Sequence, residues 1–159
     1  MKRTTDQLNE LFADELKSKG LKPMPCPRLQ NRTINSYRTA GLAYTPRNEC
    51  VYNLEMVKLN FREFMKWTPP HEVCHCFDRY MKSKTTAHGE GWQRLMVAIG
   101  LQARTTHTYK VPTQEGATLF KCNCRENIFI GKVRTRKAVS GASSYFCRNC
   151  KARLTKMDD

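Results

Sequence analysis

Thr68-Pro69-Pro70-His71-Glu72-Val73-Cys74-His75 is the stretch that decides how this chain is read. It places an H-E-x-x-H motif directly behind a helix-start signal. Threonine is a good N-cap, and proline is tolerated in a first turn, where backbone N–H groups lack intrahelical partners. A helix is therefore expected from about Pro69 to Met81. On it, His71 and His75 lie one turn apart on the same face, so two imidazoles reach one zinc ion. Glu72 stands about 100° round the helix from His71. From there its carboxylate reaches a metal-bound water without being a ligand. Zinc lowers the pKa of such a water towards ~7, and Glu72 can take its proton and later pass one to a leaving amine. Five residues can match this pattern by chance on a surface helix. Context argues against that here. The helix is strongly signalled, and His88-Gly89 follows it. A catalytic zinc usually keeps three protein ligands and one open position, and His88 completes that count.

Outward from the motif, helical and extended signals alternate. Residues 4–19 read as an amphipathic helix with Leu8, Leu11, Phe12 and Leu16 on one face, ended by Gly20. Pro23, Pro25 and Pro27 forbid a regular helix in the next stretch. From Tyr37 to Leu54, two short strand-like runs flank the turn Thr45-Pro46-Arg47-Asn48, which predicts a β-hairpin. A helical region over about 55–66 carries Met56, Leu59 and Phe64. Another helix is expected near Glu90–Ile99, ended by Gly100. Beyond Arg104, short alternating runs at 118–121, 127–135 and 143–146 surround two cysteine pairs. Pro112 and Gly116 mark irregular chain between the two regions.

Those pairs, Cys122-x-Cys124 and Cys147-x-x-Cys150, offer four thiolates around a β-rich insert, the pattern of a tetrahedral structural zinc site. A module of this size has too little core to fold unaided. The first pair is one residue shorter than the usual C-x-x-C. A redox role for Cys147 and Cys150 lacks the βαβ context it needs. Cys74 and Cys76 are read as small packed residues rather than further ligands, and Trp92 and Met96 as core. His107 either stabilises an oxyanion, orients a ligand or makes a structural hydrogen bond. Tyr44 and Tyr80 have no stronger claim, and Cys26 and Cys50 stay unassigned.

The chain has 159 residues, with 40% hydrophobic and 26% charged, which excludes a wholly disordered chain. No apolar run approaches the roughly 18–20 residues needed to span a membrane, and acidic residues interrupt the N-terminus, against a signal peptide. A cytoplasmic location is expected, in a bacterium or an infected host cell, where eight reduced cysteines favour metal. The net charge is +14, of which +8 falls in residues 104–159. Lys132, Arg134 and Arg136 alternate, so on a strand they project from one face beside Lys137. Such a row tracks phosphates without reading sequence.

His71-Glu72-x-x-His75, followed by His88-Gly89-x-x-Trp92-x-x-x-Met96, resembles the SprT-like family of zinc metalloproteases, which includes Spartan. Arg38–Tyr44 resembles the family's strand before the catalytic helix, and Ala103–His107 the segment after its second helix. The resemblance implies an α+β, zincin-like domain with a β-hairpin or short sheet packed on helices, then a β-rich zinc ribbon. The corresponding division is 1–103 for the metalloprotease domain, 104–116 for a linker and 117–159 for the ribbon. It implies His71, His75 and His88 as zinc ligands, Glu72 as general base, and protein substrates crosslinked to DNA. Two zinc ions are expected, one catalytic and one structural. The expected partners are DNA without sequence specificity and the proteins on it, with no membrane and a monomeric chain. The alternative is a nucleic-acid-binding adaptor whose metal centres are purely structural. The intact Glu72, which structural zinc does not need, favours the enzyme.

Overall fold

The amphipathic N-terminal stretch is helical in two pieces, α1 (Lys2–Leu11) and α2 (Ala13–Ser18). They break at Phe12, whose φ of −114° and ψ of 21° leave the helical region. The break corrects the expected single face. Leu8, Phe12 and Leu16 are buried, but Leu11 is 52% exposed. These positions come from a computed structural model that describes residues 1–30, 34, 36, 39–83, 86–110 and 117–157, without the side chains of 125–127. Of the residues read from sequence, Tyr37, Arg38, Pro112 and Gly116 lie outside the described residues. The chain falls into two units, 1–112 and 113–159.

In the first unit the expected hairpin is present. Strand β1 (Arg28–Gln30) is an addition to it, too short to leave a periodic signal. β2 (Gly41–Tyr44) pairs antiparallel with β3 (Glu49–Tyr52), from Gly41 opposite Tyr52 to Tyr44 opposite Glu49, and β1 pairs parallel with β3 on its other side. The turn is a single 3-10 turn, Thr45–Arg47, closed by Asn48 at φ 50°, a conformation that asparagine tolerates. Asn48 also donates from its side chain to the Pro25 carbonyl at 2.8 Å.

α3 (Leu54–Tyr80) covers the two expected helices as two helical pieces joined across a kink, which falls at Asn60 and not at Thr68. Its N-cap is Asn53, whose side chain accepts from Met56 N, and its one non-helical residue is Asn60 at φ −138°. The helix therefore does not start at Thr68, and Pro69 and Pro70 lie inside it. Two prolines there cost two backbone hydrogen bonds. The carbonyls they release belong to Met65 and Lys66, two exposed residues. Thr68 turns its hydroxyl to Tyr109 instead of capping.

Asn60 clamps the chain after α4 (Glu90–Ala98), donating to the Lys110 carbonyl at 2.7 Å and accepting from its N–H at 2.8 Å. Residues 104–110, expected as the start of a linker, thus belong to the first unit. The core joins α1, α3, α4 and the sheet through Leu8, Cys50, Val73, Phe77, Trp92 and Leu95, all essentially inaccessible. Gly100, at φ +79°, ends α4 by returning the chain in a left-handed turn.

The second unit holds β4 (Thr118–Cys122), β5 (Arg125–Ile130), α5 (Lys132–Val139) and β6 (Thr155–Lys156), with strand order β5-β4-β6. α5 is a correction, since Lys132–Thr135 was read as part of a strand. Alternating charge carries no strand signal when no apolar face accompanies it, and Lys, Arg and Ala are good helix formers. Thr135 ties the helix to Ile130 O at 2.9 Å, and Arg136 and Lys137 sit in its last turn, where cations meet the negative end of the dipole. The molecule is thus α+β in both units. Among the described residues, no helix is long and apolar enough to cross a membrane.

Candidate active site

α3 delivers three of the four central side chains, and the turn before α4 delivers the fourth. His71 and His75 rise from one face of α3, and His88 approaches from beside Gly89, the N-cap of α4. Their Nε2 atoms form a triangle with sides of 3.1, 3.1 and 3.2 Å. His71 and His75 each donate a ring N–H to the backbone, at Arg104 and Ala87 respectively, which holds the rings. With the other nitrogen so engaged, each Nε2 turns a lone pair inward. Three lone pairs at this separation repel unless a cation lies among them. A tetrahedral zinc with Zn–N of about 2.0–2.1 Å sets its nitrogens about 3.3 Å apart, so this donor set fits that ion.

Burial first, and the neighbouring rings second, keep these imidazoles neutral. The pKa of His71 falls to about 4 and that of His75 to about 3, while burial also lowers that of His88. Neutral rings are the form a metal binds. Trp92 forms the floor under all three. Its ring centroid lies 4.7 Å from those of His71 and His88, it stacks on His75 at 18°, and its indole N–H donates to His71 O at 3.2 Å. The core reading of Trp92 holds, and the position adds the task of fixing the ligand rings.

Glu72 is 6% exposed and sits beside the triangle on the side facing β2. Burial pushes its carboxyl up to about 8, opposed by a backbone hydrogen bond from Ala43. A bound dication would pull that value back down. The close approach of β2 depends on Gly41, a residue whose role sequence spacing did not reveal. The three histidines and Glu72 line an open groove of about 1120 Å³, with Trp67, Arg104 and His107 on its walls.

Cys74 and Cys76 point away from the triangle into the core, at 0% and 2% exposure. Cys76 Sγ lies 4.0 Å from Cys50 Sγ on β3, and this pairing together with burial pushes the Cys50 thiol well up. His107 stacks on Tyr109, a contact that its sequence position alone did not predict.

In the second unit, the sulfur atoms of Cys122, Cys124, Cys147 and Cys150 all lie within 4.8 Å of one another. Cys122 to Cys124 is 3.5 Å and Cys124 to Cys147 is 3.7 Å. Tetrahedral zinc with Zn–S of about 2.3 Å sets sulfurs about 3.8 Å apart. The short C-x-C pair therefore reaches the same point as the C-x-x-C pair. Backbone N–H groups of Cys150 and Asn149 stabilise the Cys147 thiolate and bring its pKa to about 6, and the Ala152 backbone lowers that of Cys150. Both centres suit zinc. Lys132, Arg134, Arg136 and Lys137 are all exposed on α5. At 100° per residue they spread around the helix and do not form the expected row.

Comparison with known proteins follows this geometry. Protein SprT of Shewanella oneidensis is 29% identical over 120 residues, covering 74% of this chain and 76% of that protein. Protein SprT of Pseudomonas paraeruginosa is 33% identical over 119 residues, covering 72% of each. Protein SprT of Pseudomonas entomophila is 29% identical over 133 residues, covering 82% of this chain and 80% of that one. No solved structure matches the chain. The sequence profile of the SprT-like family matches residues 2–113, the whole span that carries the histidine triangle and Glu72, and the chain belongs to that family.

Proposed function

We propose that this protein is a zinc-dependent endopeptidase acting on DNA-associated proteins, including those crosslinked to DNA, in the cytoplasm. The observation that carries the reading is the triangle of Nε2 atoms beside a buried carboxylate in one open groove. Zinc, when bound, supplies Lewis acidity to a water molecule and to the peptide carbonyl. His71, His75 and His88 hold it. Glu72 takes a proton at its carboxylate from the attacking water and returns it to the leaving amine. β2, an edge strand among the described residues, lines the groove with Gly41, Leu42 and Ala43. An extended peptide can lie along such an edge.

The basic second unit supports the DNA part of the reading. Residues 113–159 carry +6, and α5 presents Lys132, Arg134, Arg136 and Lys137 to solvent. Contacts of this kind follow phosphates and not bases. Holding the enzyme on DNA raises its effective concentration near proteins bound there, so substrate choice needs little peptide-sequence recognition. The test is cleavage of a DNA-crosslinked protein by wild type and Glu72→Gln. Cleavage by wild type alone, with equal zinc in both, is the expected result. Equal cleavage by both removes the mechanism. DNA binding without Glu72-dependent cleavage favours the adaptor.

A further inference from the structure

Arg104 is tied to one face of α3 at two points. Its backbone carbonyl accepts the ring N–H of His71, and its guanidinium lies over Trp67, 4.7 Å from the ring centroid. Trp67 and His71 are four residues apart in α3 and share that face, with Cβ atoms about 5–6 Å apart. The guanidinium is thereby held about one helical turn from the histidine triangle, and Trp67, His71 and Arg104 all line the groove. One edge of the fork is fixed as well. Arg104 Nε donates to Gln102 Oε1 at 2.8 Å. Among the described residues, the two Nη groups have no hydrogen-bond or carboxylate partner.

A planar guanidinium held on an aromatic face, with its Nη edge open, suits a pair of carboxylate or phosphate oxygens. Fixing the side chain in advance also spares the entropy that a mobile arginine loses on binding. The charges of the groove separate the two ligands. Its lining carries Glu63, Glu72 and Asp78 against Arg79 and Arg104. A nucleic-acid strand would bring a row of phosphates past three carboxyl groups, whereas a peptide brings one carboxylate to one fork. A peptide also has a course to follow, along the edge strand β2. An extended chain advances about 3.3 Å per residue, so one turn of α3 corresponds to about two residues of substrate. We propose that Arg104 selects substrates by pairing its Nη groups with an aspartate or glutamate side chain about two residues from the scissile bond. The assignment deepens the endopeptidase reading and rests on it.

The test uses the full zinc-loaded chain and short Ala-Gly peptides that carry a single Glu, Gln or Lys at successive positions, each either free or joined to a single-stranded oligonucleotide. In wild type, kcat/KM is expected to be about 10-fold higher for Glu than for Gln at a position near the cut, the low end for a hydrogen bond to a charged group. In Arg104→Gln that preference is expected to vanish, and in Arg104→Glu it is expected to pass to Lys, with zinc content equal to wild type in both. The wild-type preference needs no variant, so it serves as a test even if a substitution disturbs folding. Equal cleavage of Glu and Gln peptides at every position, with Glu72→Gln inactive, overturns the assignment and leaves the endopeptidase reading intact. A Glu preference that survives in Arg104→Gln also overturns it. A loss in Arg104→Gln that is confined to oligonucleotide-linked peptides, and is the same for Glu and Gln, makes a DNA phosphate the ligand and overturns it too. Absence of Glu72-dependent cleavage of every peptide overturns the endopeptidase reading, and the role of Arg104 falls with it.

Discussion

Gly41 and Glu72 occupy complementary space: a Cβ on residue 41 would stand 2.6 Å from Glu72 Oε1 and 2.9 Å from Thr68 Cγ2. The strand that borders the groove can approach Glu72 because residue 41 has no side chain. Gly41→Ala should therefore push the carboxylate off its position while leaving the histidine triangle in place. Displacements near 1 Å in an active site cost up to about 100-fold in rate. Steady-state cleavage should fall by at least about 10-fold, with the zinc content of the variant equal to that of wild type. Wild-type activity in Gly41→Ala would show that the carboxylate tolerates the shift.

Two donor sets imply two zinc ions per chain. Atomic absorption on wild type should give a stoichiometry of two, and a Cys147→Ser/Cys150→Ser variant should keep one. The ribbon should be the more dependent on its metal for folding, because among the described residues its core contains little beyond Phe120, Ile130 and Cys147. Chelator titration followed by proteolysis should cut the second unit first. A single zinc in wild type would eliminate one of the two centres.

The charges of α5 should act additively on DNA affinity, since they spread around the helix. Replacing Lys132, Arg134 and Arg136 with Gln removes three cations. If each meets a phosphate, the slope of log K against log salt should shrink by about 0.7 per contact on single strands. Measuring binding to a single-stranded oligonucleotide from low to physiological salt checks this. An unchanged slope would take α5 out of the interface.

Acid should selectively loosen the contact between α2 and α4. Glu15 meets Lys19 at 2.9 Å and Arg94 at 2.7 Å. The hydrogen bond from Lys19, ahead of that from Arg94, holds its pKa below the ordinary carboxylate value. A lowered folded-state pKa means the contribution is complete above the unfolded-state pKa, about 4.3, and is lost as pH falls through the folded value. Both cations are well exposed, so the contribution should stay below about 1 kcal/mol. Urea unfolding of wild type and Glu15→Gln should differ at pH 7 and converge near pH 3. A difference that persists in acid would mean the glutamine is destabilising for another reason.

The site was more legible than the fold around it. H-E-x-x-H and His88 could be read because metal ligation constrains residue type and spacing together, and the cysteine pairs for the same reason. The hairpin could be read because its turn chemistry is local. The course of α3 could not. Pro69 and Pro70 resemble a start signal, yet the helix continues through them. The kink at Asn60 depends on Lys110, fifty residues away, and no local pattern reports such a partner. α5 was misread because alternating charges satisfy a strand and a helix equally when no apolar face decides. Gly41 is an ordinary glycine in a strand until the position of Glu72 is known.

Trp92 touches all three imidazoles at once, and this has an optical consequence. Occupation of the triangle by an ion changes the charge beside the indole and the freedom of the rings stacked on it. The chain thereby carries an intrinsic fluorophore packed against the histidine triangle. Trp67, also on the groove wall, emits alongside it and can be silenced by Trp67→Phe. In that variant, the emission of a single indole becomes a direct gauge of metal occupancy, readable without substrate, label or chelating dye.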